Sequence, residues 1–287
     1  MEHLLNKPLS PSRANQFRDC QLLYRYRTID RLPEAPSQAA VRGTLVHSVL
    51  EKMFETQPEL RDVDTVISYL PGALDAMLEE SPINVYAIDG DLSWTPEVES
   101  FDVHPKPSVA AVTQFLDVAE GLVRSYFSLE TPSMLNPTAL ELKVAHKLSS
   151  GTDIHGIIDR FETTADGAVR ISDYKTGKAP DPRWAAKSWF QMLFYALVIW
   201  REKGVIAQEL RLIFLGNSQI LTKQPTEAEL LEIENQINQI ASEIEHAIVT
   251  GEFFPRKSGL CQFCSHQAIC PEFGGKILPL PYPVIER

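Results

Sequence analysis

After Pro137 the chain changes texture. The segments "ALELKVAHKL", "IHGIIDRFETT" and "AVRISDYKT" alternate apolar and polar residues in steps of two, the period of a β-strand with one covered face. Asp166-Gly167 between the second and third is a hairpin turn signal. A helix is predicted from roughly 181 to 203, then a strand at "ELRLIFLG" and a short one at "QILTK". The order strand, strand, strand, helix, strand predicts a mixed sheet with helical cover.

Upstream the chain reads as helical. Residues 11–28 are predicted as one helix, followed by a loop with Pro33 and Pro36. In "VRGTLVHSVLEKMFE", Val46, Val49, Leu50, Met53 and Phe54 recur at i, i+3, i+4, i+7 and i+8, the mark of an amphipathic helix. Pro58, Pro71, Pro82 and Pro96 break the next stretch into short helices and loops, and a longer helix is predicted near 108–129. Downstream, a helix from about 226 to 248 opens on Thr226 with Glu229 three residues on, a capping-box pattern. The expected organisation is a mainly helical region over 1–137, an α+β core over 138–250, and a tail over 251–287 that carries three of the four cysteines.

The formal net charge of −11 argues at first against a nucleic-acid partner, because phosphate binding needs Lys and Arg. Its distribution removes that objection. Residues 55–105 hold 12 acids against Arg61 alone, which accounts for the whole imbalance, and the rest of the chain carries 26 acids and 26 bases. Residues 1–50 hold seven bases against four acids, so a basic face fits on an acidic protein, although scattered solvated charges would give the same count. There is no long apolar run and no signal-peptide pattern at the start. A cytoplasmic protein without a membrane span is expected, and in a reducing compartment its cysteines are better read as ligands than as disulfides.

The candidate chemistry centres on "ISDYK". Asp173 and Lys175 lie two apart on a strand and project side by side, and the hairpin makes Asp159 their neighbour. Two carboxylates and an amine together suit metal-assisted phosphodiester hydrolysis: Asp oxygens bind Mg²⁺ or Mn²⁺, and the ammonium orients water or balances charge on the phosphate. A surface ion pair is the plain alternative for Asp173 and Lys175. By itself, His47 on the amphipathic helix is more often a satisfied core-edge histidine than a ligand. Helical spacing puts Trp184, Ser188, Gln191 and Tyr195 on one stripe, either a buttress or nucleic-acid contact or simply a mixed packing face.

Taken together, "GTLVHSVLE", "GIIDR", "ISDYKTGK", "QMLFYAL" and the tail cysteines resemble the RecB-type branch of the PD-(D/E)XK nuclease superfamily, from about Ser10 to Pro271 except for the acidic stretch. The resemblance implies a restriction-endonuclease-like fold, with Asp159 and Asp173 as metal ligands, His47 completing the metal shell and Lys175 as the motif lysine. Gln191 and Tyr195 match the Q-x-x-x-Y helix of that family. Glu141 falls where the family often carries an acid, as an outer or second-metal residue or a solvated one. Ile158 stands where the superfamily's name has Pro, and Asp173 where many members have Glu; the RecB-type branch accepts both.

The cysteines are Cys20 and, 241 residues later, Cys261-x2-Cys264-x5-Cys270. Three plus one differs from the two close pairs usual for structural zinc. The spacing is similar to that of family members holding a [4Fe-4S] cluster, with zinc or unrelated buried thiols as the other readings; His266 is then a bystander. Ligation would act as a clasp between the chain ends, closing a loop whose entropy is on the order of 5 kcal/mol. The expected function is a metal-dependent DNA exonuclease acting on single strands or ends. No Walker A loop occurs in the sequence, so processive duplex degradation would call for a helicase partner. The alternatives are a non-catalytic iron–sulfur nucleic-acid-binding or assembly protein on a nuclease fold, and a zinc-stabilised structural protein.

Overall fold

The structure, a computed structural model, describes residues 7–101, 103–164, 166–181 and 185–282. Five strands form one sheet in the order β1 (Ala139–Lys147), β2 (Asp153–Thr163), β3 (Val169–Lys175), β4 (Glu209–Phe214), β5 (Gln219–Lys223). All neighbours are antiparallel except β3 and β4, which run parallel because a helix crosses between them. Among the described residues six helices have nine residues or more: α1 (Pro11–Asp19), α2 (Gln38–Glu55), α3 (Leu70–Glu80), α4 (Val109–Leu129), α5 (Ala186–Lys203) and α6 (Glu227–Thr250). The α+β mixed sheet flanked by helices matches the expected fold class. None of these helices is long and apolar enough to cross a membrane.

Each face of the sheet has its own core. On one side α1, α5 and α6 bury Phe17, Phe194, Leu197, Leu230 and Ile237 against Ile158 and Ile171. On the other, α2, α3 and α4 bury Leu45, Val49, Leu74 and Val123 against Tyr174 and Ile213. The N-terminal residues therefore divide between the two faces: those before about residue 33 join the α5/α6 side, and those from Val41 to Leu129 make the opposite layer. The acidic stretch belongs to that second layer. Its one base, Arg61, is buried and donates to the carbonyls of Phe54, Thr56, Pro132 and Leu135, so it fastens the layer instead of neutralising its surface.

The caps explain several boundaries. Ser10 caps α1, Ser108 caps α4, and Thr226 with Glu229 closes the expected capping box on α6, which ends at Gly251 in the left-handed region. The single helix predicted over 11–28 is interrupted. Cys20 is extended (φ −164°, ψ 112°), and after Gln21–Tyr24 the backbone widens into a π-helical turn, Arg25–Asp30. That turn buries Arg25, whose guanidinium pairs with Asp30 and donates to the carbonyls of Leu278 and Pro279 in the tail. Long-range partners fix this geometry, and no local pattern announces them.

Candidate active site

The β1–β2 ladder is continuous except at Glu141, whose register partner is Asp159. Glu141 has φ +43°, a conformation costly for a residue with a Cβ and typical of functional positions. Here both strands exchange faces. Leu140 packs with the α2/α4 layer, but Leu142 and Val144 pack with the α5/α6 layer. On β2, Ile154, Ile158 and Phe161 share the α5/α6 core while Ile157 is 43% exposed, so the strict alternation that would align Ile157 with Phe161 fails at Asp159. β2 also parts from β3 at this point: the last paired residues are Arg160 and Ser172, and Asp159 and Asp173 stand just beyond them.

The opening is filled by side chains. The Tyr174 N–H donates to Asp159 Oδ2 at 2.7 Å, taking the place of a ladder bond. His47 comes from α2 with Nε2 3.1 Å from the Tyr174 carbonyl. A carbonyl only accepts, so Nε2 carries the proton and Nδ1 keeps its lone pair, facing Asp159 Oδ2 at 3.5 Å. This is the arrangement of a metal-ligating histidine whose other nitrogen is held by backbone. One atom each from His47, Glu141 and Asp159 lie within 4.8 Å of one another. Asp173 is turned instead to Lys175, 2.7 Å from Nζ, and accepts from Gln191 Nε2 at 2.9 Å. Gln191 Oε1 accepts from Lys175 Nζ at 2.8 Å, and its Nε2 donates also to the Tyr195 hydroxyl at 2.9 Å.

The electrostatics are those of a crowded anionic site. Burial, then Asp173 and Glu141, push the Asp159 carboxyl well above the usual range, against the pull of the Tyr174 N–H and Lys175. Burial, Glu51 and Asp173 raise Glu141. Burial lowers His47, which keeps the imidazole neutral. Acids that raise one another, beside a neutral imidazole, make this a candidate site for a divalent cation. A cleft of about 450 Å³ lined by Gly43, Thr44, His47, Ser48, Glu51 and Glu141 gives access to it.

The structure thus brings together His47, Asp159, Asp173, Lys175, Gln191 and Tyr195, with Glu141 nearer the centre than its sequence context required. Trp184 lies outside the described residues, and the stripe through Gln191 and Tyr195 buttresses the site. Sequence reasoning missed the layer beneath. Arg160, fully buried, donates two bonds to Glu130 (2.7 and 2.9 Å) and others to the hydroxyls of Tyr126, Tyr174 and Ser172, while Arg211 donates to Glu130 at 2.6 Å. Gly156 was missed as well: a Cβ there would meet Tyr195 Cε1 at 2.5 Å. A charged residue directly after a candidate ligand, and a glycine inside a strand, are the signals that could have found them.

The four cysteines, all free thiols, line one cavity of about 430 Å³ with Arg27 and Arg256. The Arg256 N–H donates to Cys20 Sγ (3.5 Å) and the Ser258 N–H to Cys261 Sγ (3.3 Å). His266 is buried apart from them, paired with Glu34 at 2.6 Å and edge-on to Tyr26. Burial pushes the Glu34 carboxyl up, but hydrogen bonds from His266 and Arg27 outweigh it and hold it at about 2.

The sequence profile of the PD-(D/E)XK nuclease superfamily matches residues 8–271. The chain belongs to that superfamily. As a PD-(D/E)XK nuclease it is one of a group that uses divalent metals, and DNA is the polymer on which such a nuclease acts. It is similar to "Gene 69 protein" of Mycobacterium phage D29, 26% identical over 279 residues, covering 92% of this chain and 96% of that one. A solved structure from Eubacterium rectale, named "Putative exonuclease", superposes with a TM-score of 0.52 at 16% identity, covering 90% of this nuclease and 87% of that chain. At that identity the likeness speaks for the fold.

Proposed function

We propose that this chain is a metal-dependent DNA exonuclease of the RecB type, hydrolysing phosphodiester bonds of single-stranded DNA or at DNA ends, in repair, recombination or defence. The observation that carries the reading is the neutral Nδ1 of His47 meeting the carboxylates of Asp159 and Glu141, with Asp173 and Lys175 fixed alongside. His47, Asp159 and Asp173 are assigned as ligands with Glu141; the first two and Glu141 are already gathered, and Asp173 would release its contact with Lys175 or Gln191 to join them. A Mg²⁺ or Mn²⁺ ion held there supplies Lewis-acid polarisation of the scissile phosphate.

The protein's own groups do the rest. Lys175, pinned between Asp173 and Gln191, presents a fixed ammonium to the phosphate oxygens and to the attacking water. Its role is orientation and charge balance. Gln191 holds Asp173 and Lys175 in one plane of hydrogen bonds, and the buried hydroxyl of Tyr195 holds Gln191. A duplex would need strand separation by a helicase to be degraded processively.

We assign Cys20, Cys261, Cys264 and Cys270 to a [4Fe-4S] cluster that joins the N-terminal segment to the tail. One cavity lined by all four thiols supports a shared site, and N–H···S bonds like those to Cys20 and Cys261 are a usual part of iron–sulfur sites. Incubating the protein with labelled single-stranded DNA and Mn²⁺, beside Asp173→Ala, tests the enzyme reading; equal inertness of the two would leave the binding-protein reading. A colourless, zinc-loaded preparation would overturn the cluster.

A further inference from the structure

Beyond the metal site β1 and β2 continue as a long hairpin. In the register, Lys143 faces Ile157, Ala145 faces His155 and Lys147 faces Asp153, and all six side chains are exposed. Their alternates Leu142, Val144, Ile154 and Ile158 pack toward α5 and α6, so the exposed six point to the side from which α2 delivers His47. The face begins two residues past Glu141, at Lys143, and Glu141 is itself in the wall of the cleft. From the Glu141/Asp159 pair to Lys147/Asp153 it runs about 20 Å, the span of several nucleotides.

Two lysines against one acid give the face a positive balance in a chain with eleven more acids than bases. Lys143 has no carboxylate within 4 Å among the described residues, and the one acid on the face, Asp153, is 3.9 Å from Lys147. At the far end Lys7, Arg13 and Lys147 line one cavity with the acids Asp153 and Glu245, so bases still outnumber acids there. Between the lysines lie an imidazole and an apolar side chain, both open to solvent. Cations spaced along a groove with flat or apolar groups between them suit one strand, phosphates on the ammonium groups and bases against His155 and Ile157.

We propose that the solvent face of the β1–β2 hairpin is the track along which a single DNA strand reaches the metal site, with Lys143 and Lys147 as its phosphate contacts. The assignment rests on the nuclease reading above and deepens it.

The test compares wild type with K143E/K147E, and with Lys203→Glu on the opposite face of the sheet. Binding of a labelled single-stranded oligonucleotide is measured without divalent metal over a range of salt, and hydrolysis is measured with Mn²⁺ on that oligonucleotide and on bis(4-nitrophenyl) phosphate. The double variant is expected to bind at least about tenfold more weakly, with a log–log salt slope shallower by about 1.4, the loss of two single-strand phosphate contacts. Hydrolysis of the small diester and the behaviour of Lys203→Glu should stay as in wild type. An unchanged affinity and slope in K143E/K147E would make the face plain solvated surface. If wild type hydrolyses neither substrate, the nuclease reading fails while the binding measurement still decides the track.

Discussion

The amide of Tyr174 holds the carboxylate of Asp159 at 2.7 Å, and the carbonyl of the same residue holds His47 at 3.1 Å. One peptide segment of β3, placed between Asp173 and Lys175, thereby orients the acid of the neighbouring strand and the imidazole of the helix above. The Tyr174 hydroxyl accepts from Arg160 at 3.0 Å, so the buried cation network fixes this backbone from below.

Metal affinity should rise with pH through the acidic range. The Asp159 carboxyl is raised and must lose a proton to ligate, whereas His47 is lowered and is already neutral. Titration calorimetry with Mn²⁺ in buffers of different ionisation enthalpy should show proton release that shrinks as pH rises. His47→Gln should weaken Mn²⁺ binding at least about tenfold.

Gly156→Ala should damage the site from behind. The new Cβ would sit 2.5 Å from Tyr195 Cε1, and moving that ring breaks the Tyr195–Gln191 bond on which Lys175 depends. Urea unfolding should show a loss of about 1–3 kcal/mol, with nuclease activity falling further than stability explains. Gly43→Ala, with Thr176 Oγ1 at 3.6 Å from the added carbon, should be tolerated.

Glu130→Gln should be among the most destabilising single changes, about 3–5 kcal/mol, because it strands the buried Arg160 and Arg211. Burial raises the Glu130 carboxyl, but the hydrogen bonds and charge of Arg160, with Arg211, more than reverse this and leave it lowered. With the folded pKa below the unfolded one, its contribution is complete above the unfolded value and is lost as pH falls through the folded value. Acid titration of the unfolding midpoint should therefore show a steeper fall in wild type than in the variant.

On the proposed cluster assignment an anaerobic preparation should be brown, and Cys20→Ser should bleach it, release iron and lower thermal stability. The tail would remain tied by the His266–Glu34 pair and by Arg25 on the Leu278 and Pro279 carbonyls, so a folded but less stable protein is expected. Loss of colour with no change in melting temperature would contradict the clasp.

Much of this architecture was legible in the sequence, since the five strands and the helices over Gln38–Glu55, Val109–Leu129 and Glu227–Thr250 follow from periodicity, proline breaks and a capping box. The nearness of Asp159 to Asp173 follows from hairpin alternation. That rule could not give the exchange of faces at Asp159, because it arises from the positive φ of Glu141 on a different strand. Nor could it give Glu130 as the partner of Arg160, 30 residues away across the sheet, or the break at Cys20, which is set by tail contacts more than 230 residues downstream. Where local pattern and long-range partner agreed, the reading held; where the partner dictated the geometry, only the fold could show it.

The most direct test of the account is degradation of end-labelled linear single-stranded DNA, against a circular strand of the same sequence, by wild type and Asp159→Asn with and without Mn²⁺. The account predicts metal-dependent loss of the linear strand only, and a drop of at least about a hundredfold in the variant. Equal rates for wild type and variant, or cutting without metal, would contradict it.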